Sequence, residues 1–323
     1  MKLLICICFF ITSPLFAEHV IICGSGGDPQ YSEQFATWGA QLRDLLTQEM
    51  GQEVEGVHFF LESNKAKAVG GKAVNLEQLR TFFAELARNH NKNDELFLYL
   101  IGHGSYLRQQ AKFQIPGPDL TATELDILIS AVPAKKVTLI SGASSGAGFL
   151  NVLSKPGRII CSATRSVGEK SAPQFMTHFL AGLQDGSADQ NRDTRISVYE
   201  AAAQAAALTG AWYLSEGLIA TEHAILDDNG DALGSRLNQE SKGSQEAQLD
   251  GSLARDVYLK SFSFPAQVPQ TLIDEYLRAM EGVELLQKRK ASLSQAAYWR
   301  ELEQKMLVAA RIHQKIKDLA EPR

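Results

Sequence analysis

Two turns carry the residues whose types and spacing suit nucleophilic chemistry. Gly102-His103-Gly104-Ser105 follows the apolar run Glu95 to Ile101 and sets an imidazole in a glycine turn, where it can take up a proton near neutral pH. Gly142-Ala143-Ser144-Ser145-Gly146 follows a second apolar run, Val137 to Ile140, and spells the G-x-S-x-G of a nucleophile elbow. In that reading Ser144 attacks, His103 or His223 is the base, and Asp189 or Asp193 orients the base. Two acidic loops suit a hard cation instead. Asp189, Asn191, Asp193 and Glu200 stand at positions one, three, five and twelve of a calcium-loop spacing. Position six, where glycine normally allows the sharp turn, is Thr194, so the expectation is weak calcium binding or a loop braced by its own side-chain hydrogen bonds. Asp227-Asp228-Asn229-Gly230-Asp231 reads either as an Asn-Gly turn or as a second cation site, one with Asn238 rather than glutamate at its twelfth position. No other cofactor is expected.

The elements that must position these groups follow from periodicity. His19 to Cys23, Val57 to Leu61, Glu95 to Ile101, Val137 to Ile140 and Arg158 to Ala163 are short apolar strands. Between them lie amphipathic helices, marked by Phe35, Trp38, Leu42, Leu45 and Leu46, by Leu76, Leu79, Phe82, Phe83 and Leu86, and by Leu125, Leu128, Ile129 and Val132. Asn75 with Gln78 and Thr121 with Glu124 mark two helix starts. Strand, crossover helix and strand in repetition predict an α/β fold with a parallel sheet in the order 2-1-3-4-5 and helices on both faces. The turns after the third and fourth strands then share the carboxyl edge, where open parallel sheets bind ligands. Gly24-Ser25-Gly26-Gly27-Asp28-Pro29 fails the dinucleotide pattern, because its third glycine would fall at Pro29. Further along, Gly234 to Ser252 is polar and rich in glycine and serine, a flexible joint by composition. Gln270 to Leu319 reads as a helical hairpin broken near Ser292-Leu293-Ser294, with Tyr276, Met280, Val283, Leu302, Met306, Ala309, Ile312 and Ile316 at helical spacing.

Composition narrows the function classes. The chain has 323 residues, 45% hydrophobic and 21% charged, with a formal net charge of −5 and scattered basic residues, so nothing predicts nucleic-acid binding. Met1-Lys2, the apolar stretch Leu3 to Phe10 and Pro14-Leu15-Phe16-Ala17 read as a secretory signal, which predicts an exported, periplasmic or secreted protein with no membrane span after cleavage. Cys6 and Cys8 leave with that signal. Cys23 and Cys161 sit in apolar strands and read as buried small residues, although an oxidising compartment would permit a disulfide.

The succession strand-Gly-His-Gly, helix, strand, small-residue turn ending in Ser-Gly, then strand resembles the caspase/legumain-like cysteine peptidases. The resemblance runs from about His19 to Asp231 and takes in Ala188 to Asp193 with Glu200, and Thr221-Glu222-His223 with the Asp-Asn-Gly-Asp that follows. It implies a three-layer α/β sandwich with a mostly parallel sheet over 18–235, preceded by a signal peptide over 1–17. A linker over 236–265 and a helical hairpin over 266–323 would follow. It also implies that His103 and Gly104 occupy the His-Gly of a Cys-His dyad. The chain departs from the family at the nucleophile: aligned on Ser145-Gly146 that position holds Ala143, and shifted by one residue it holds Ser144. Alanine cannot attack, and a serine hydroxyl needs a general base and an orienting group that such dyads often lack. Three readings follow. The first is a catalytically impaired or inactive peptidase homologue that binds peptide or protein. The second is an active hydrolase using Ser144 with His103 or His223. The third is a structural envelope protein braced by calcium.

Overall fold

The computed structural model describes residues 17–92, 94–237, 250–261, 264 and 267–320. Residues 1–16 of the expected signal peptide therefore lie outside the described residues, as do 238–249 of the expected linker. The described residues form two compact units, one drawn from 1–188 and 196–260, the other from 189–195 and 261–323.

In the first unit the strands are β1 (Ala17–Cys23), β2 (Val57–Leu61), β3 (Lys72–Ala73), β4 (Glu95–Ile101), β5 (Gly104–Leu107), β6 (Gln110–Phe113), β7 (Leu120–Thr121), β8 (Lys136–Ser141) and β9 (Arg158–Ser162). They are followed by β10 (Arg195–Ser197), at the boundary of the units, then β11 (Ile225–Asp227), β12 (Ser235–Arg236) and β13 (Tyr258–Ser261). Among the described residues, eight strands form one sheet in the order β12-β11-β9-β8-β4-β1-β2-β3. Its core, β2-β1-β4-β8-β9, is parallel throughout and has the predicted order 2-1-3-4-5. Antiparallel β11 and β12 extend it beyond β9.

Alternation along the strands sorts their side chains to two faces. Val20, Ile22, Leu96, Leu98, Leu100, Leu139 and Ile160 join one apolar core with α3 (Leu76–Asn89), α4 (Ala122–Ala131) and α5 (Leu150–Leu153). The opposite face meets α1 (Pro29–Asp44), which packs on β1 and on α6 (Phe175–Gln184), and α6 packs on α7 (Val198–Ser215). Gly39 lets α1 come close to that face, since a Cβ there would lie 2.5 Å from the Cys23 Sγ. Both faces of β4 are thus covered, and only Glu95 of its seven residues is not buried. This is what its unbroken apolar run predicts. Two short helices, α2 (Ser63–Ala66) and α8 (Ser252–Arg255), complete the unit. Within the expected linker, residues 252–261 thus carry a helix and a strand.

Caps set the helix starts. Asn75 accepts from the Gln78 N–H at 2.8 Å and Thr121 from the Glu124 N–H at 3.1 Å, as expected. Glu124 does not return the bond; its carboxylate pairs with Arg80 at 2.6 Å. The complete capping box is at Ser197 and Glu200, which starts α7. His90, although it stands in an Asn-rich stretch, is buried at the end of α3.

In the second unit, α9 (Gln270–Lys288) and α10 (Gln295–Ala320) form the helical hairpin. Tyr276, Met280, Ala309, Ile312 and Ile316 make its apolar seam. Met306, expected on that stripe, is 40% exposed. The Tyr276 hydroxyl donates to the Arg192 carbonyl. Burial, aided by the charges of Asp189 and Asp193, pushes that hydroxyl's pKa up to about 12. Among the described residues, no helix is long and apolar enough to cross a membrane.

Candidate functional site

β4 and β8 are parallel neighbours in register, with Leu100 opposite Ser141, so both expected turns leave the same edge of the sheet side by side. The backbone there is tightly joined. Gly142 N–H donates to the Leu100 carbonyl at 2.8 Å, and Gly24 N–H donates to the Ile101 carbonyl at 2.9 Å. Gln114 N–H donates to the His103 carbonyl at 3.0 Å. Gly104 is required by close approach, because a Cβ on it would lie 2.2 Å from the Ser144 carbonyl oxygen.

The side chains on these turns have separate destinations. The His103 ring packs edge-on against Tyr31 and Phe35 of α1, with centroids 4.8 and 5.0 Å away. Burial lowers its pKa, and a hydrogen bond to the Gly26 backbone works in the opposite direction. Ala143 is fully buried and belongs to the core on the α3 and α4 side. Ser144 is 2% exposed; its Oγ accepts from Gly104 N–H at 3.1 Å and donates to the Gly104 carbonyl at 3.1 Å. Its hydroxyl proton is therefore held by the carbonyl of the residue after His103, and the second bond occupies that residue's N–H. In the turn, the left-handed residue is Ser145, at φ 54°, rather than Ser144. Ser145 N–H donates to the Glu169 carbonyl at 2.8 Å, and its hydroxyl donates to the Val167 carbonyl at 3.0 Å.

Cys23 and Cys161 are free and buried. The Cys23 thiol donates to the Phe35 carbonyl at 3.2 Å, and burial raises its pKa. Burial pushes the Cys161 thiol up to about 12. Neither is a thiolate at neutral pH.

His223 finds a carboxylate other than the two expected. Its Nδ1 lies 2.7 Å from Glu169 Oε1, and its N–H donates to Glu169 Oε2 at 3.2 Å. Beside it a cavity of about 340 Å³ is lined by Ala163, Phe175, Thr209, Glu222, His223 and Arg236, among others. Ala163 follows β9, so this cavity opens near the carboxyl edge of the parallel strands. The Glu222 carboxylate accepts from the Gln174 and Phe175 N–H groups at 2.6 and 3.2 Å, at the start of α6. Burial nevertheless raises its pKa.

The two acidic loops differ in how their carboxylates are used. Asp189 accepts from the Asp193 and Thr194 N–H groups, Asn191 from Asp193 N–H, and Asp193 from Arg195 N–H and the Arg195 guanidinium. Thr194 has a φ of 71° and so takes the left-handed turn despite its branched side chain. Glu200, the expected twelfth ligand, caps α7 through its Oε2, which accepts from Ser197 N–H at 3.0 Å and from the Ser197 hydroxyl at 2.8 Å. In the second loop, carboxylate oxygens of Asp227, Asp231 and Asp250 lie within 4.8 Å of one another, a set that could hold an ion.

No protein-family model and no curated protein matches this sequence. Sequence reading did not single out Glu169 or Asp250. Glu169 is 54 residues from His223, and Asp250 sits at the end of a stretch whose composition signals a joint.

Proposed function

We propose that this chain is an exported protein of caspase/legumain-like peptidase fold whose catalytic centre is disarmed, and that it binds peptide or protein segments at the carboxyl edge of its sheet. The observation that supports this reading best is the two-way hydrogen bonding of the Ser144 hydroxyl to Gly104. With the Ala143 methyl in the core and both thiols buried in strands, the turn beside His103 offers no sulfur and no free hydroxyl. What survives is an edge with an imidazole and an adjoining cavity of a size that takes a side chain. The reading predicts no covalent labelling of the purified protein by peptidyl acyloxymethyl ketones. Labelling that disappears in His103→Ala would overturn it.

One observation favours a second reading, a serine hydrolase. The His223–Glu169 pair is a base with an orienting acid, and the Glu169 segment is hydrogen-bonded to Ser145, next to Ser144. A fluorophosphonate that labels the wild type but neither Ser144→Ala nor His223→Ala would establish this alternative; absence of labelling removes it.

A further inference from the structure

We infer that Asp227, Asp231 and Asp250 form a divalent-cation site, with calcium as the ion of best fit. The inference starts from a group with no ordinary explanation. Asp227, the last residue of β11, is 1% exposed; its Oδ1 accepts from Gly230 N–H at 3.2 Å, while its Oδ2 is buried with no hydrogen-bond partner. A buried carboxyl oxygen without a partner is costly, and a cation facing it would remove that cost. Two more carboxylates converge on the same place, with oxygens of all three residues within 4.8 Å of one another. Oxygens so spaced can share one ion at the calcium–oxygen distance of about 2.3–2.6 Å.

The surroundings hold the carboxylates with neutral donors and add no counter-charge: Asp231 accepts from Leu233 N–H at 2.7 Å and from the Asn229 side-chain amide at 3.2 Å. Asp228 is spent elsewhere, accepting from the Gly251 and Ala254 N–H groups at 2.8 Å each and so capping α8. Asp250 accepts from Asp228 N–H at 3.1 Å and from the Ser235 hydroxyl at 2.6 Å, which holds it against the loop. Among the described residues, neither Lys nor Arg pairs with Asp227, Asp228, Asp231 or Asp250; the nearby Lys155 is committed to Asp126 at 2.7 Å. Three carboxylates with hard oxygen donors, and neither sulfur nor imidazole among them, select a hard cation. Asp231 is exposed and Asp250 partly so, which leaves the ion a route in and room for water ligands. Asp250 thus supplies a third carboxylate from outside the loop. Such an ion would tie the end of β11 to the segment entering α8, whatever the peptidase-like edge does.

Thermal melting of the whole purified chain after chelator treatment tests this, with calcium chloride as the probe. Calcium at about 100 times its Kd should raise the wild-type Tm by about 4 °C. Asp231→Asn, at an exposed position, should melt in chelator at or above the wild type, because one of three repelling charges is gone, and should lose the calcium shift. Asp189→Asn should keep it. No shift in the wild type, a shift that survives both Asp231→Asn and Asp227→Asn, or one lost only in Asp189→Asn overturns the assignment.

Discussion

Gly104 and Ser144 stabilise the carboxyl edge as a pair, and each is limited by the other. A methyl at Gly104 would meet the Ser144 carbonyl oxygen at 2.2 Å, a backbone atom that cannot swing aside. Gly104→Ala should therefore lower the unfolding free energy by about 1–3 kcal/mol, the usual cost of overpacking. Ser144→Ala removes a bond to each backbone group of Gly104 and should cost about 1–3 kcal/mol. Denaturant midpoints measure both, and a double-variant cycle should show them coupled; additive costs would mean that the contact is incidental. Legibility at this scale was uneven. The turn holding His103 could be read from Gly-His-Gly after an apolar run, and the turn holding Ser144 from its small residues. The rings of Tyr31 and Phe35 that receive His103 could not, because the helix periodicity reports only that Phe35 faces inward and says nothing of Tyr31. Glu169 was hidden for a different reason: a lone glutamate in a loop has no local signal, and its pairing with His223 exists only once the loop is folded over Ser145.

At the scale of elements, β1 holds a group that ties stability to pH. His19 is 1% exposed, its ring stacks on Phe97 at 4.7 Å, and its Nδ1 lies 3.1 Å from the Tyr99 hydroxyl. Burial lowers its pKa to about 3 from 6.5. The folded chain thus keeps this ring neutral where the unfolded chain takes up a proton, so its contribution to stability is constant above pH 6.5 and falls as the pH drops towards 3. The slope within that window is about 1.4 kcal/mol per pH unit from this group. Urea unfolding at a series of pH values should show the fall in wild type and a shallower one in His19→Phe; equal slopes would assign the pH dependence to other groups. The strand that holds His19 was itself plain from its sequence, as was the order of the five parallel strands, since short crossovers of fixed hand leave few topologies open. The antiparallel β11 and β12 were not foreseen. They are three and two residues long, too short for alternation to register.

At the scale of the molecule, the helical hairpin was legible because its seam keeps helical spacing over many turns, whereas the recruitment of residues 189–195 to that unit was not. That loop read as a cation site from the types and spacing of its acids. Its folded form shows those acids accepting from the loop's own N–H groups, which is one of the two outcomes its sequence left open.

The placement of the two thiols has a consequence for how this protein can be made. Cys23 lies in β1 and Cys161 in β9, with β4 and β8 between them. Three strand spacings of about 4.8 Å separate them by about 14 Å, twice the reach of a disulfide. Among the described residues, the fold therefore owes nothing to a disulfide. Chain produced in a reducing compartment should match chain produced in an oxidising one in its melting temperature, with or without dithiothreitol, and no disulfide isomerase should be needed on the way.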